Sequence, residues 1–232
     1  MAKIKINNVR IKGIAACAPS KVEENSEYPY FDENEFENII PSIGVERRHV
    51  AKEGQTCADF AQRAAEKLME ELGWEKESID LLIFGSPSKD YIQPDTACVL
   101  QGKLDLPESC MAFDMTLGCT GWTYGMTNAC SLMQTGCIKR VLLLNGIQGS
   151  AESCYDKTGY PLFSDVATAT ALEYDPTAAP IYCELGTIGK QFDAILVPDG
   201  GRRNPVTEGS LKLVEYEKNV KRSRLLAFMK GM

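Results

Sequence analysis

Short runs of β-branched and aliphatic residues, separated by stretches of helix length, constrain this chain more than any other feature. Residues 81–84, 111–115, 141–144, 166–172 and 192–197 are each of strand length and largely apolar, the pattern of strands covered on both faces. Residues 9–17 read as a further strand. Between these runs, residues 58–72 place Phe60, Ala64, Ala65, Leu68 and Leu72 on one helical face. That helix opens after Thr56 with Asp59 three residues on, in the manner of a capping box, and stops at Gly73. Helices are also predicted over 96–104 and 122–134. Alternation of strand and helix predicts an α/β fold, with a buried, largely parallel sheet between layers of helices.

With 232 residues and 44% hydrophobic content, the chain can bury a substantial core. Its 25 basic and 32 acidic side chains leave a net charge of −7, which argues against nucleic acid or an anionic membrane as the main partner. The opening MAKIKINNVRIKG has no apolar core of a secretory signal, and no run approaches the length of a membrane span. A cytoplasmic location is expected. The nine cysteines are scattered rather than grouped in CxxC pairs, so no metal site is expected and reduced thiols are. Two regions are predicted: 1–174 as the main α/β part, and 175–232 as a connecting segment. The second holds the turn-rich DPTAAP at 175–180, the irregular loop PDGGRRNP at 198–205 and an amphipathic helix over 212–229.

Most cysteines in such a chain act as small buried side chains. Cys119 differs in its setting, because it follows a strand-like run, precedes a helical pattern and lies between Gly118 and Gly121. The start of a helix presents unpaired N–H groups and about half a positive charge, which stabilises a thiolate and a developing oxyanion. The glycines permit a sharp turn and close approach of a thioester, the logic of a nucleophile elbow.

The run FDMTLGCTGWTYGM at 113–126 resembles the active-site segment of the 3-oxoacyl-acyl carrier protein synthase III family. In that segment an aspartate precedes a small-residue run, followed by Cys, a small residue, Gly, an aromatic residue and a Tyr-Gly pair. Here these are Asp114, Cys119, Thr120, Gly121, Trp122, Tyr124 and Gly125. The likeness extends to IGVERRH at 43–49, the helix that begins at Thr56, IDLLIFGSPSKDYIQP at 79–94, the strand at 141–149 and LFSDVATATAL at 162–172. It implies a thiolase-like layered α/β fold, a mixed or parallel sheet with helices on both faces, of which this chain supplies the N-terminal half. It also implies an acyltransferase in which Cys119 takes an acyl group from a thioester, and which then condenses it with malonyl-acyl carrier protein as carbon dioxide leaves.

Other expectations follow from the same resemblance. The His and Asn that promote condensation lie in the family's second half, so the chain alone is expected to be incompetent for that step. Either it is truncated or it works with a partner. His49, the sole histidine, belongs to the early Arg-His segment and is expected to be structural. Lys157 stands for a family arginine on the nucleotide side, while Asn38 and Ser42 replace an aromatic and a basic contact to coenzyme A. Arg202 and Arg203 are candidates for a pantetheine phosphate or an acidic carrier surface. Lys218, Lys221, Arg222 and Arg224 form a basic cluster whose plainer reading is a solvated helix face paired with Glu215 and Glu217. Gln93 and Trp122 line the expected acyl tunnel and its gate, and a polar Gln93 points to an unusual acyl group. In the family this loop reaches the partner subunit, which implies a homodimer. No cofactor is expected, since coenzyme A or carrier-protein thioesters are substrates. The alternatives are acyl transfer to an alcohol or amine without condensation, and a non-catalytic partner subunit of the same fold. Asp114 and Asp165 are expected to cap or hold loops.

Overall fold

The computed structural model describes residues 1–151, 153–217 and 220–229. In chain order they form β1 (Ala2–Ile6), β2 (Val9–Cys17), β3 (Val22–Glu24), α1 (Glu33–Ile43), β4 (Arg47–His49), α2 (Cys57–Leu72), β5 (Leu81–Gly85), α3 (Thr96–Lys103), β6 (Met111–Met115) and α4 (Gly121–Met133). There follow β7 (Arg140–Gln148), β8 (Asp165–Tyr174), β9 (Ile181–Leu185), β10 (Ile195–Leu196), β11 (Val214–Glu217), β12 (Val220–Arg222) and β13 (Phe228–Met229). Two compact units result. One joins Met1–Pro19, Ala51–Gln148 and Asp165–Gly186; the other joins Ser20–Val50, Gly149–Ser164 and Thr187–Met232. The connecting segment expected over 175–232 is therefore shared, contributing to the first unit as far as Gly186. None of the described helices is long and apolar enough to cross a membrane.

The first unit is built on a five-stranded sheet of order β2-β8-β7-β5-β6. β5 pairs in parallel with β6 and β7, whereas β8 runs antiparallel to both β7 and β2. The sheet is thus mixed, as the thiolase-like reading allows, with its parallel strands β7, β5 and β6 side by side. Connections explain which strands are parallel. β5, β6 and β7 are linked through α3 and α4, while β7 reaches β8 without an α-helix to carry the chain back to a parallel start.

Successive strand residues point to opposite faces, so each central strand feeds two cores. Leu82, Phe84, Leu142 and Leu144 join a cluster with Phe60, Ala61, Ala64 and Leu68 of α2 and Leu100 of α3. Leu81, Ile83, Val141 and Leu143 join another with Met126, Ala129, Cys130 and Met133 of α4. Helices therefore cover both faces, as predicted. Leu142 and Leu143 are fully buried, and truncating either to alanine removes about 2–5 kcal/mol. α2 has the predicted boundaries within a residue: the Asp59 carboxylate accepts the Thr56 N–H at 3.0 Å, and Gly73 closes the helix at φ +61°.

The second unit contains three two-stranded ribbons and α1. Asp32 caps α1, accepting the Glu35 N–H at 2.8 Å while Glu35 accepts the Asp32 N–H at 3.2 Å. Arg48 is buried among bonds to Asn25 Oδ1 (3.3 Å), the Phe163 carbonyl (3.1 Å) and Glu23 (2.8 Å), with its guanidinium 3.9 Å from the Tyr160 ring centre. Beside it, the His49 backbone N–H donates to Ser164 Oγ at 3.1 Å.

Two predicted elements are corrected here. No helix spans the described residues of 212–229: β11 and β12 pair antiparallel with Glu215 opposite Lys221, and β13 pairs with β10. Charges there recur at spacings that suit either a helix or a twisted ribbon, and the buried Asp156 decides between them by drawing Arg222 inward to an ion pair. The strand expected over 192–197 is reduced to β10.

Candidate active site

β6 carries the chain to Met115 at the C-terminal edge of the parallel strands. A tight turn follows, closed by the Gly121 N–H bonding to the Gly118 carbonyl at 2.8 Å, and α4 begins at once. Cys119 lies inside this turn and is exposed. The space beside Gly118 is open, since a Cβ there would meet no atom within 4 Å. Thr120 precedes α4 without making a side-chain cap, and the positive end of the helix dipole falls at the turn that holds Cys119. This is the strand-to-helix elbow predicted from the sequence.

Beneath the elbow lies a residue that the sequence did not single out. Asn145 of β7 stands opposite Gly85 of β5, and its Nδ2 donates to the Gly85 carbonyl at 3.1 Å. Gly85 makes room for it, as a Cβ there would lie 2.3 Å from that nitrogen. The amide nitrogen is also 3.7 Å from the place a Cβ would occupy on Gly121. One helical turn on, Gly125 sits so close to Leu143 that a Cβ would come within 2.6 Å of its Cδ1. α4 thus rests on the sheet through two glycines, one over Leu143 and one over Asn145. The signal available in the sequence was a lone amide ending the apolar run 141–144.

The loop with Gln93 leaves the C-terminal end of β5, the strand next to β6, so the Gln93 and Cys119 loops issue from the same edge of the sheet. That edge is where ligands bind in open α/β sheets. Asp114 ties the two together. Its carboxylate accepts the N–H groups of Thr96 (2.9 Å) and Ala97 (2.7 Å) at the start of α3 and lies 3.5 Å from Lys89 Nζ. Gln93 itself is exposed. Trp122, 40% exposed, is held by its Nε1–H bonding to Thr170 Oγ1 of β8 at 3.1 Å. Asp165 accepts the Ala51 N–H at 2.6 Å. Both aspartates hold loops, as expected.

The residues proposed for the nucleotide side lie in the second unit. Lys157 is ion-paired with Glu35 of α1. Asn38 lies exposed on the same helix, its Nδ2 donating to the Asn34 carbonyl at 2.7 Å. Arg202 and Arg203 are exposed in the 198–205 loop and make no ion pair with a described residue. That loop is braced by Asn204 Nδ2 to the Pro198 carbonyl at 2.9 Å and by Arg224 clasping Asp199 at 2.8 and 2.9 Å. The basic cluster expected on a helix face is dispersed: Arg222 is buried against Asp156, Arg224 is committed to Asp199, and Lys218 lies outside the described residues.

Among the other cysteines, Cys57 also sits at a helix start but is wholly buried. Burial pushes its thiol up to about 11, that of Cys110 to about 11 and that of Cys130 to about 12, so all three are neutral at physiological pH. Exposure distinguishes Cys119 from these three, and its place in the turn before a helix distinguishes it from Cys98, which is exposed within the first turn of α3.

Comparison with known proteins places this geometry. Residues 113–189 match the family model described as 3-oxoacyl-[acyl-carrier-protein (ACP)] synthase III. A beta-ketoacyl-[acyl-carrier-protein] synthase III of Aliarcobacter butzleri is 32% identical over 205 residues, covering 87% of this chain and 61% of its own length. The crystal structure of a 3-oxoacyl-(acyl-carrier protein) synthase from Burkholderia xenovorans superposes with a TM-score of 0.89 at 36% identity, covering 99% of this chain and 65% of the other. A 3-oxoacyl-(acyl-carrier-protein) synthase III structure gives a TM-score of 0.85 at 30% identity, covering 97% and 68%. This chain therefore spans about three fifths of the length of the curated relatives it matches. On that identity and superposition, the chain belongs to the 3-oxoacyl-[acyl-carrier-protein] synthase III family.

Proposed function

We propose that this chain is the cysteine-bearing part of a condensing acyltransferase, with Cys119 as the acyl carrier. The observation that carries the reading is the exposed sulfur between the C-terminal end of a parallel strand and the start of α4. Cys119 thiolate attacks the carbonyl carbon of an acyl-thioester; the oxyanion collapses, the thioester C–S bond breaks and the donor thiol leaves with a proton. Backbone N–H groups at the elbow stabilise the oxyanion, and one such donor is worth about 3 kcal/mol. In the second step malonyl-acyl carrier protein loses carbon dioxide, its α-carbon attacks the acyl-enzyme and Cys119 departs as thiolate. By the resemblance, the His and Asn for this step lie in the two fifths or so of the relatives' length that this chain does not span. No cofactor enters this scheme.

Partners follow from the chemistry. Arg202 and Arg203, exposed and unpaired with described residues, suit the pantetheine phosphate or an acidic carrier protein. Lys157 is a weaker candidate because Glu35 already neutralises it. The exposed Gln93 loop is the proposed contact of a homodimer, to be checked by sedimentation of the Gln93→Glu protein against the original. Incubation with acetyl-coenzyme A followed by intact-mass measurement tests the central step. An acetyl adduct that disappears in Cys119→Ala is expected. An adduct that persists in that variant, or a folded protein that forms none, overturns the reading. Release of carbon dioxide from malonyl-carrier protein then separates condensation from simple acyl transfer.

A further inference from the structure

We propose that Asn145 is a positioning residue for Cys119, an inference that rests on the acyl-transfer reading above. The face of the sheet under α4 is apolar through Leu81, Ile83, Val141 and Leu143. At the end nearest the elbow it turns into a carboxamide. Nδ2 of Asn145 is bonded to the Gly85 carbonyl, but Oδ1 is buried with no partner among the described residues. A buried acceptor without a donor costs stability, and an apolar side chain of the same size in its place would not. Stability is therefore not what this amide supplies.

What it supplies is a fixed spacer, anchored by the Nδ2 bond to the Gly85 carbonyl that an apolar side chain of the same size cannot make. The amide nitrogen occupies the hollow above Gly85, where a Cβ would lie 2.3 Å away, and reaches towards Gly121. Gly121 is the residue whose N–H closes the turn around Cys119. Without the spacer the turn settles toward the sheet, and the sulfur shifts relative to the N–H groups of the first turn of α4. Acyl transfer is steeply sensitive to such a shift, since a misplacement of about 1 Å can cost about 10²-fold. Alkylation by a small freely diffusing reagent needs only an exposed thiolate.

The test compares acetylation of Cys119 by acetyl-coenzyme A, alkylation by iodoacetamide, and thermal midpoint. In Asn145→Gly and Asn145→Leu, acetylation is expected to fall by about ten-fold or more, with alkylation of Cys119 unchanged within about three-fold. Asn145→Leu should melt at or above the original temperature. Gly85→Ala, whose methyl group evicts the amide, should slow acetylation equally, and the double variant Gly85→Ala/Asn145→Gly should be no slower than Asn145→Gly alone. Acetylation at the original rate in a folded Asn145 variant overturns the proposal, as does equal loss of acetylation and alkylation, or additive losses in the double variant. Cys119→Ala runs in parallel. If it keeps the adduct, the acyl-transfer reading fails; if it loses the adduct while the Asn145 variants acetylate normally, only the positioning role fails.

Discussion

Replacing Asp114 by alanine should be among the most damaging polar substitutions in the first unit. Its carboxylate is 3% exposed and takes two N–H groups at the start of α3, from Thr96 at 2.9 Å and Ala97 at 2.7 Å. Thr96 and Ala97 are themselves fully buried, so water cannot easily replace the lost acceptor. Each hydrogen bond to a charged group is worth about 1.5–3 kcal/mol, and loss of a helix-capping carboxylate alone costs about 0.5–2 kcal/mol. These bounds set the expected loss at about 3 kcal/mol. For a chain of this size that lowers the thermal midpoint by about 6–12 °C. Asp114→Asn keeps one acceptor and should lose roughly half as much. Circular dichroism melts of the three proteins check this. A midpoint for Asp114→Ala within about 2 °C of the original would show that the carboxylate does not anchor α3, and would remove the tie between the Gln93 and Cys119 loops.

Three further outcomes are expected. A Cβ on Gly149 would lie 2.4 Å from Phe163 Cβ and 2.9 Å from its carbonyl carbon, so Gly149→Ala must displace backbone and should cost about 2 kcal/mol or more in urea titration. Burial alone would raise the Asp156 carboxyl, but bonds from Arg222 and Thr158 outweigh it and hold the group below the ordinary aspartate range. Its contribution to stability is thus present above the unfolded-state value and lost as pH falls through the lower folded one; Asp156→Asn should flatten the loss of urea resistance below about pH 4. Brief iodoacetamide labelling at neutral pH should modify Cys119 and the exposed Cys98, Cys137 and Cys154 and spare Cys57, Cys110 and Cys130. Peptide mapping that finds Cys130 labelled first would contradict the buried packing of α4.

Much of the sheet could be read directly from the chain because its strands are apolar on both faces, as at 81–84 and 141–144. The elbow was equally legible, since strand, glycine, cysteine, glycine and helix are local features of about a dozen residues. α1 was missed although Asp32, Glu35 and Gly44 carry its start and stop signals and Phe36, Ile39, Ile40 and Ile43 keep helical spacing; Pro41 in its last turn obscured it. The helix expected over 212–229 failed for the opposite reason, as its charge spacing was strong but Arg222 is set by an ion pair with Asp156, far back in the chain. Asn145 was invisible for the same kind of reason. Its meaning comes from Gly85 on the adjacent strand, and no reading of either neighbourhood alone connects an amide to a missing side chain.

The pairing of β2 with β8 sets an order of assembly. Val9 lies opposite Tyr174 and Cys17 opposite Ala167, so β2 finds its neighbour only after the strands from β3 to β7 have been made. β5, β6 and β7 meet through short helical crossovers and can associate while synthesis continues. We expect pulsed hydrogen exchange during refolding to protect 81–85 and 141–144 before 9–17. Protection of 9–17 first would refute this order. Until its mate arrives, the earlier strand is a bare template, and a chaperone that shields it during synthesis would raise the yield of this protein more than one acting after release.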